Sequence, residues 1–310
     1  MPDRLISLFG PTAVGKTGIA IELAQLLRER GEHPVAVSAD AFQLYEGIDV
    51  LTAKPGELEG RQLEHRLVSM VPIEREFTVA EFADAAHSEI DSLLAEGRLP
   101  IVVGGTGLYL RAALTDLDLK PAAEPGLRAA LERELAQLGA PGLHRRLPEP
   151  VASAVHPNDR KRIVRALELE QMGERAHTRS DQLWSEDLRR PAALFGVVMD
   201  RDALEQRISE RVRRMVEHGI ASEVERALEL GASRTARKAI GFAELEAQLR
   251  GEASLEQAAE RIERRHRRYA KRQLTWMRKL AAVELIDRSG ISDREAAVVI
   301  LRRLDSLPPS

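Results

Sequence analysis

The chain has 310 residues, 44% of them hydrophobic and 4% aromatic, with a net charge of −3 and no cysteine. Disulfides, thiolate zinc sites and a cysteine nucleophile are thereby excluded. No apolar run reaches membrane-spanning length, so a cytoplasmic protein without a membrane anchor is expected.

The first predicted element is the apolar run Leu5-Ile6-Ser7-Leu8-Phe9, a strand that leaves no room for a leader ahead of it. Next comes Gly10-Pro11-Thr12-Ala13-Val14-Gly15-Lys16-Thr17, followed by a helical pattern from Ile19 to Leu27. Strand, G-x-x-x-x-G-K-[ST], then helix is the phosphate-binding loop in the context it requires. The two glycines permit backbone angles that turn successive N–H groups inward, and the helix start adds partial positive charge. Lys16 would reach the terminal phosphates and Thr17 would hold Mg²⁺. A di- or triphosphate, ATP included, is the expected ligand class.

A second strand, Val35–Ser38, leads to Asp40. Strand ends of open parallel sheets line the ligand crevice. Asp40 in that place serves either as a proton acceptor or as a metal holder for phosphoryl transfer, and spacing alone does not choose. A third strand, Ile101–Val103, runs into Gly104-Gly105-Thr106-Gly107. Its glycines would let a ligand approach the backbone, and Thr106 offers a hydroxyl.

The alternation breaks at Pro121-Ala122-Ala123-Glu124-Pro125-Gly126. From there to about Pro191 the periodicity is helical, so residues 116–192 read as an all-helical insertion. Leu127–Leu138 is one predicted helix. Asn158-Asp159 caps another that runs through Ile163 to Met172, with Arg160, Lys161, Arg162 and Arg165 at its start. Strand structure resumes at Leu194–Met199, Arg201–Leu230 reads as helical, and Glu256–Leu280 as one long helix. A last strand follows at Val283–Ile286, and Pro308-Pro309-Ser310 reads as a frayed end. Short apolar strands alternating with helices predict an α/β fold with a parallel sheet, formed by residues 1–115 and 193–310.

Charge concentrates in the long helix. Between positions 261 and 279, Arg261, Arg264, Arg265, Arg267, Arg268, Lys271, Arg272, Arg278 and Lys279 face a single acid, Glu263. Such a stretch on an otherwise acidic chain is the footprint of a polyanionic partner. Tyr269 and Trp276, seven apart with Gln273 between them, lie on one side of this helix, either as its core face or beside the basic face that meets RNA. No histidine pair has metal-ligand spacing. Three functional classes stay open on these residues: a transferase acting on RNA, a small-molecule kinase, and a GTPase or RNA-binding module. Asn158-Asp159-Arg160-Lys161 does not fit the guanine motif of GTPases.

The order of motifs resembles the tRNA dimethylallyltransferase family, the isopentenyl transferases of the bacterial type. The resemblance is carried by Gly10–Thr17, Ser38–Tyr45, Thr52-Ala53-Lys54-Pro55, Gly104–Tyr109, His156–Asp159 leading into Arg162–Glu168, Ala239–Phe242 and Tyr269–Trp276. It implies a P-loop NTPase-like core with a helical insertion that contacts the tRNA anticodon stem-loop. It implies transfer of the dimethylallyl group of dimethylallyl diphosphate to N6 of an adenosine beside the anticodon, by a monomeric enzyme. By the same resemblance Asp40 is the base, Lys16 and residues 10–17 hold the diphosphate with Mg²⁺ on Thr17, and Thr106 holds the bridging oxygen. The tRNA contacts it implies are Asp40, Ala41, Phe42, Gln43, Thr106, Arg128, Val164, Arg165, Ala166, Leu167, Glu168, Lys238, Ala239, Ile240, Gly241, Phe242 and Ala243. On the long helix they are Lys271, Arg272, Gln273, Leu274, Thr275, Trp276, Met277 and Arg278. The chain departs from the family pattern at Ala41, Glu46, Leu51, Arg66, Ala243 and Met277.

Overall fold

The computed structural model describes residues 5–123, 125–174, 187–280 and 282–306. The expected frayed end at 308–310 lies outside them. Two compact units form: Met1–Asp116 with Glu186–Ser310, and Leu117–Ser185.

The first unit is built on six strands: β1 (Leu5–Phe9), β2 (Pro34–Ser38), β3 (His65–Arg66), β4 (Leu99–Gly104), β5 (Ala192–Val198) and β6 (Glu284–Asp287). Their order is β3-β2-β4-β1-β5-β6, and every pairing is parallel. β1 and β2 are buried along their whole length, which is why they read as unbroken apolar runs rather than alternating ones. Helices α1 (Lys16–Arg28), α4 (Val79–Ala95), α5 (Gly107–Leu114), α9 (Arg201–Glu217), α12 (Leu255–Met277) and α13 (Asp293–Ser306) belong to this unit. So do the short α2 (Asp49–Thr52) and α3 (Glu57–Gln62), and α10 (Ile220–Glu229) and α11 (Phe242–Leu249). A core of Leu8, Ile19, Leu23, Ile101, Phe195, Ile208 and Ile300 ties α1, α9 and α13 to the sheet.

Register fixes where the site lies. Phe9 pairs with Gly104 and Ser38 with Val103. The C-terminal ends of β1, β2 and β4 are therefore level, and the loops that leave them open on one edge.

The second unit contains α6 (Pro125–His144), α7 (Glu149–Ala154) and α8 (Arg160–Gln171). Leu131, Leu143, Ile163, Val164 and Leu167 form its core. Asp159 caps α8, accepting the Arg162 N–H at 3.1 Å.

One expectation on elements is corrected. Arg201–Leu230 is two helices, because Gly219 adopts φ 79° and turns the chain between α9 and α10. The expected helix Leu127–Leu138 is the first of two helices within Pro125–His144, broken at Gly139, which has φ 67°, with Pro141 two residues on. The strand at His65–Arg66 was not expected; two residues carry no readable period.

Candidate active site at the strand ends

The loop after β1 wraps the head of α1. Gly15 has φ 98° and Ala13 φ 64°, so two of three successive residues take the left-handed turn that exposes N–H groups on one side. The Lys16 ammonium donates to the carbonyls of Gly10 (2.9 Å) and Pro11 (3.0 Å). Burial lowers its pKa from 10.5 to about 8, with Asp40 opposing the shift and Arg211 adding to it. Thr17 follows within the first turn of α1 and is partly open.

Asp40 leaves the end of β2 and accepts the Phe42 N–H at 2.9 Å, an Asx turn. Its charge acts on Lys16, Arg211, Tyr109 and Tyr269. Burial lowers the pKa of Arg211 to about 10 and Asp40 counters it. Arg211 Nη2 donates to Thr52 O at 3.3 Å. Gln43 is an internal brace: its Oε1 accepts the Ser38 hydroxyl at 2.9 Å and its Nε2 donates to Ala53 O at 3.2 Å. It thereby ties the end of β2 to the Thr52-Ala53-Lys54-Pro55 turn. Lys54 in that turn bonds Tyr45 O and Asp49.

At the end of β4 the chain passes very close to Ala39, the residue after β2. A Cβ on Gly104 would stand 2.5 Å from the Ala39 carbonyl oxygen, so only glycine fits. Thr106 caps α5, and its hydroxyl meets the Tyr269 hydroxyl at 2.9 Å. Burial, with Asp40 nearby, pushes the Tyr269 phenol well above its ordinary range, so it stays protonated.

The long helix α12 supplies the fourth wall. Its inner face carries Ile262, His266, Ala270, Gln273 and Met277, all buried. Gln273 links two loops: it accepts the Thr12 N–H at 2.8 Å and donates to Gly105 O at 2.7 Å. The Trp276 ring lies against Gly107. His266 is buried, and burial together with Arg211 and Arg265 lowers its pKa to about 3. Tyr269 and Trp276 are half-buried beside this inner face, against Thr106 and Gly107. Arg268, Lys271 and Arg278 are exposed, whereas Arg267 bonds Glu263 and Arg265 pairs with Glu244 at 2.8 Å. Arg272 stacks its guanidinium over the Tyr269 ring at 5.6 Å. Leu274 is partly open and Thr275 exposed.

Other expected positions lie elsewhere. In the same unit Lys238 and Ala243 are exposed, Ile240 partly so, and Ala239, Gly241 and Phe242 are buried. Gly241 turns at φ 108° against Leu51 and Ile262. In the helical unit, Val164, Ala166, Leu167 and Glu168 are buried in its interior. Glu168, with no exposure, is clamped by Arg128 and Arg165, each at 3.1 Å. Arg165 also donates to the carbonyls of Lys120 and Pro121. Arg160, Lys161 and Arg162 are the open cations at the start of α8.

Sequence reasoning missed Arg211. Leu204, Ile208, Val212 and Met215 form the buried stripe of α9, and Arg207 and Arg211 fall at three- and four-residue spacing along its margin. Cations placed so close to an apolar stripe were a readable signal that they point inward.

Residues 43–280 match the IPP transferase family. The chain belongs to that family. Among its curated relatives, the tRNA dimethylallyltransferase of Acetivibrio thermocellus is 38% identical, over 97% of this chain and 96% of the relative. The Anaeromyxobacter sp. (strain K) tRNA dimethylallyltransferase is 42% identical over 99% of both. The solved structure of the full-length tRNA isopentenylpyrophosphate transferase of Bacillus halodurans superposes with a TM-score of 0.72 at 33% identity, covering 98% of this chain and 96% of that one. The expected P-loop NTPase-like α/β fold is the fold of these IPP transferases, and the family resemblance stands.

Proposed function

We propose that this IPP transferase moves the dimethylallyl group of dimethylallyl diphosphate to N6 of the adenosine on the 3′ side of the tRNA anticodon, position 37. The carbon–oxygen bond to the diphosphate breaks, a carbon–nitrogen bond to N6 forms, and one N6 proton leaves. The observation that carries this reading is the placing of Asp40 within electrostatic reach of both Lys16 and Arg211, at the strand end beside the phosphate-binding loop. Leaving-group charge and proton removal are thus served from one crevice.

Negative charge builds on the departing diphosphate. The amides of residues 10–17, Lys16 and Arg211 would stabilise it more in the transition state than in the bound substrate. Asp40 takes the N6 proton as the bond forms. Thr106, its hydroxyl fixed by Tyr269, would hold the bridging oxygen. Mg²⁺, when bound, neutralises diphosphate charge. The Thr17 hydroxyl suits it, because Mg²⁺ uses one or two protein oxygens and completes its shell with phosphate and water. Unstacking the target base costs a few kcal/mol, least in a loop that is already single-stranded. Ala41, Phe42 and the open Lys238, Ile240 and Ala243 would line the base and its neighbours, and the open face of α12 would meet backbone phosphates. On this reading residues 116–192 form the domain that receives the anticodon stem-loop. The protein works as a monomer in the cytoplasm, where tRNA is the substrate.

Mass analysis of nucleosides after incubation of tRNA with the protein, dimethylallyl diphosphate and Mg²⁺ tests the reading. N6-isopentenyladenosine is the expected product. Phosphorylation of a small molecule by ATP without tRNA, and no modified nucleoside, would move the protein to the kinase class.

A further inference from the structure

In the phosphate-binding loop the carbonyls of Ala13 and Val14 are held by two arginines from distant parts of the chain. Arg288, only 5% exposed, lies just past β6 and donates from Nη1 to Val14 O at 2.8 Å. Its guanidinium is in turn fixed by Asp293, at 2.7 Å, and by Ile291 O, at 3.2 Å. The backbone N–H of Arg288 bonds Val198 O, so the residue is anchored to the end of β5. From α9, Arg207 Nε donates to Ala13 O at 2.8 Å. A Cβ added to Gly15 would overlap the Arg288 guanidinium, and one added to Gly18 would overlap the Asp293 carboxylate. The fit behind the loop is therefore closed.

We propose that Arg288, with Asp293 and Arg207, is a positioning device for the diphosphate, acting through the carbonyl side of residues 13–15. Two arguments support it. The first is conformational. Ala13 holds φ 64°, a region that an L residue other than glycine adopts only when its surroundings enforce it. The two guanidinium bonds engage the Ala13 and Val14 carbonyls and so hold the loop backbone in the turn an anion would meet. The second is electrostatic. Burial lowers the pKa of Arg207, with Arg288 and Arg214 adding to the shift and Asp293 and Glu210 opposing it. The cations Arg207, Arg288 and Arg214 outnumber the carboxylates Asp293 and Glu210, and Lys16 across the loop is set against Asp40. A diphosphate in the cradle relieves that excess. The device therefore favours the occupied loop as well as its shape.

This inference rests on the proposed function only in taking a diphosphate as the ligand. The test measures inorganic pyrophosphate binding by calorimetry in the presence of Mg²⁺, and steady-state KM separately for dimethylallyl diphosphate and for tRNA. The full-length variants are Arg288→Ala, Arg288→Lys and Asp293→Asn. Loss of a charged hydrogen bond predicts that Arg288→Ala raises pyrophosphate Kd and the KM for dimethylallyl diphosphate about tenfold. The KM for tRNA stays within about twofold, and Arg288→Lys recovers part of the loss because it keeps charge and one donor. Asp293→Asn shifts both diphosphate values about threefold in the same direction. If Arg288→Ala does not fold, the two conservative variants decide. Unchanged pyrophosphate Kd in either folded variant, or an equal rise in the KM for tRNA, overturns the proposal. Failure of the functional reading is seen separately, as wild-type protein that binds pyrophosphate but yields no modified nucleoside.

Discussion

Asp40 and Lys16 bring opposite charges to one crevice, and each makes a separable prediction. Asp40→Asn keeps the size of the side chain and its turn with Phe42 but cannot accept the proton. It should lower kcat by about 10²- to 10⁴-fold while the tRNA dissociation constant moves little. A comparable loss of tRNA affinity would instead make Asp40 a binding residue. Lys16 must be charged to hold an anion, and burial brings its pKa from 10.5 to about 8. The kcat/KM for dimethylallyl diphosphate should therefore fall as pH rises through about 8, which a pH–rate profile reads directly. The effect on folding has the other sign. Between pH about 8 and 10.5 the unfolded chain binds the proton and the folded chain does not, so the Lys16 contribution to stability rises across that window. At this scale the sequence was most legible for the loop itself, where every residue is local. Gln43 was expected among the tRNA contacts, and its side chain spans Ser38 and Ala53.

At the scale of elements, α12 divides its two faces between two tasks. Ile262, His266, Ala270, Gln273 and Met277 face inward, at the three- and four-residue steps of a buried stripe. Gln273 was expected among the tRNA contacts. Its side chain is spent on Thr12 and Gly105, and its removal would loosen two loops at once. The exposed Arg268, Lys271 and Arg278 remain for phosphates. Arg267 is a poorer choice for mutation, being engaged by Glu263. Charge-neutral Gln at Arg268 and Lys271 together should weaken tRNA binding and flatten the plot of log K against log salt by about 1.5, for two lost phosphate contacts. Filter binding at several salt concentrations measures this, and an unchanged slope would return this face to ordinary solvated surface. The split of Arg201–Leu230 into α9 and α10 was hidden because both helices are amphipathic, and one glycine inside a periodic run is weak punctuation.

At the scale of the molecule, the helical unit and the sheet unit have separate cores. Within the helical unit, Glu168 has no exposure and two arginine partners. Removing it leaves both cations facing an uncharged hole, although their partial exposure lets them relax toward water. Glu168→Ala should therefore cost about 2 kcal/mol, below the full value for a broken buried pair. Thermal melting combined with hydrogen exchange in α8 would measure the loss and localise it to this unit. By itself the sequence determined the parallel α/β class, the phosphate-binding loop and the strand-end positions of Asp40 and Thr106. Those features are written in contiguous residues: apolar runs, glycine spacing, a cap. Tertiary structure alone decided that Arg211 faces Asp40, that Gln273 braces Thr12 across 261 residues of chain, and that Arg288 backs Val14 across 274. A local pattern records what a segment does with its own backbone. It carries no record of which distant helix the sheet will fold against it, because that choice is made by the summed burial of both partners.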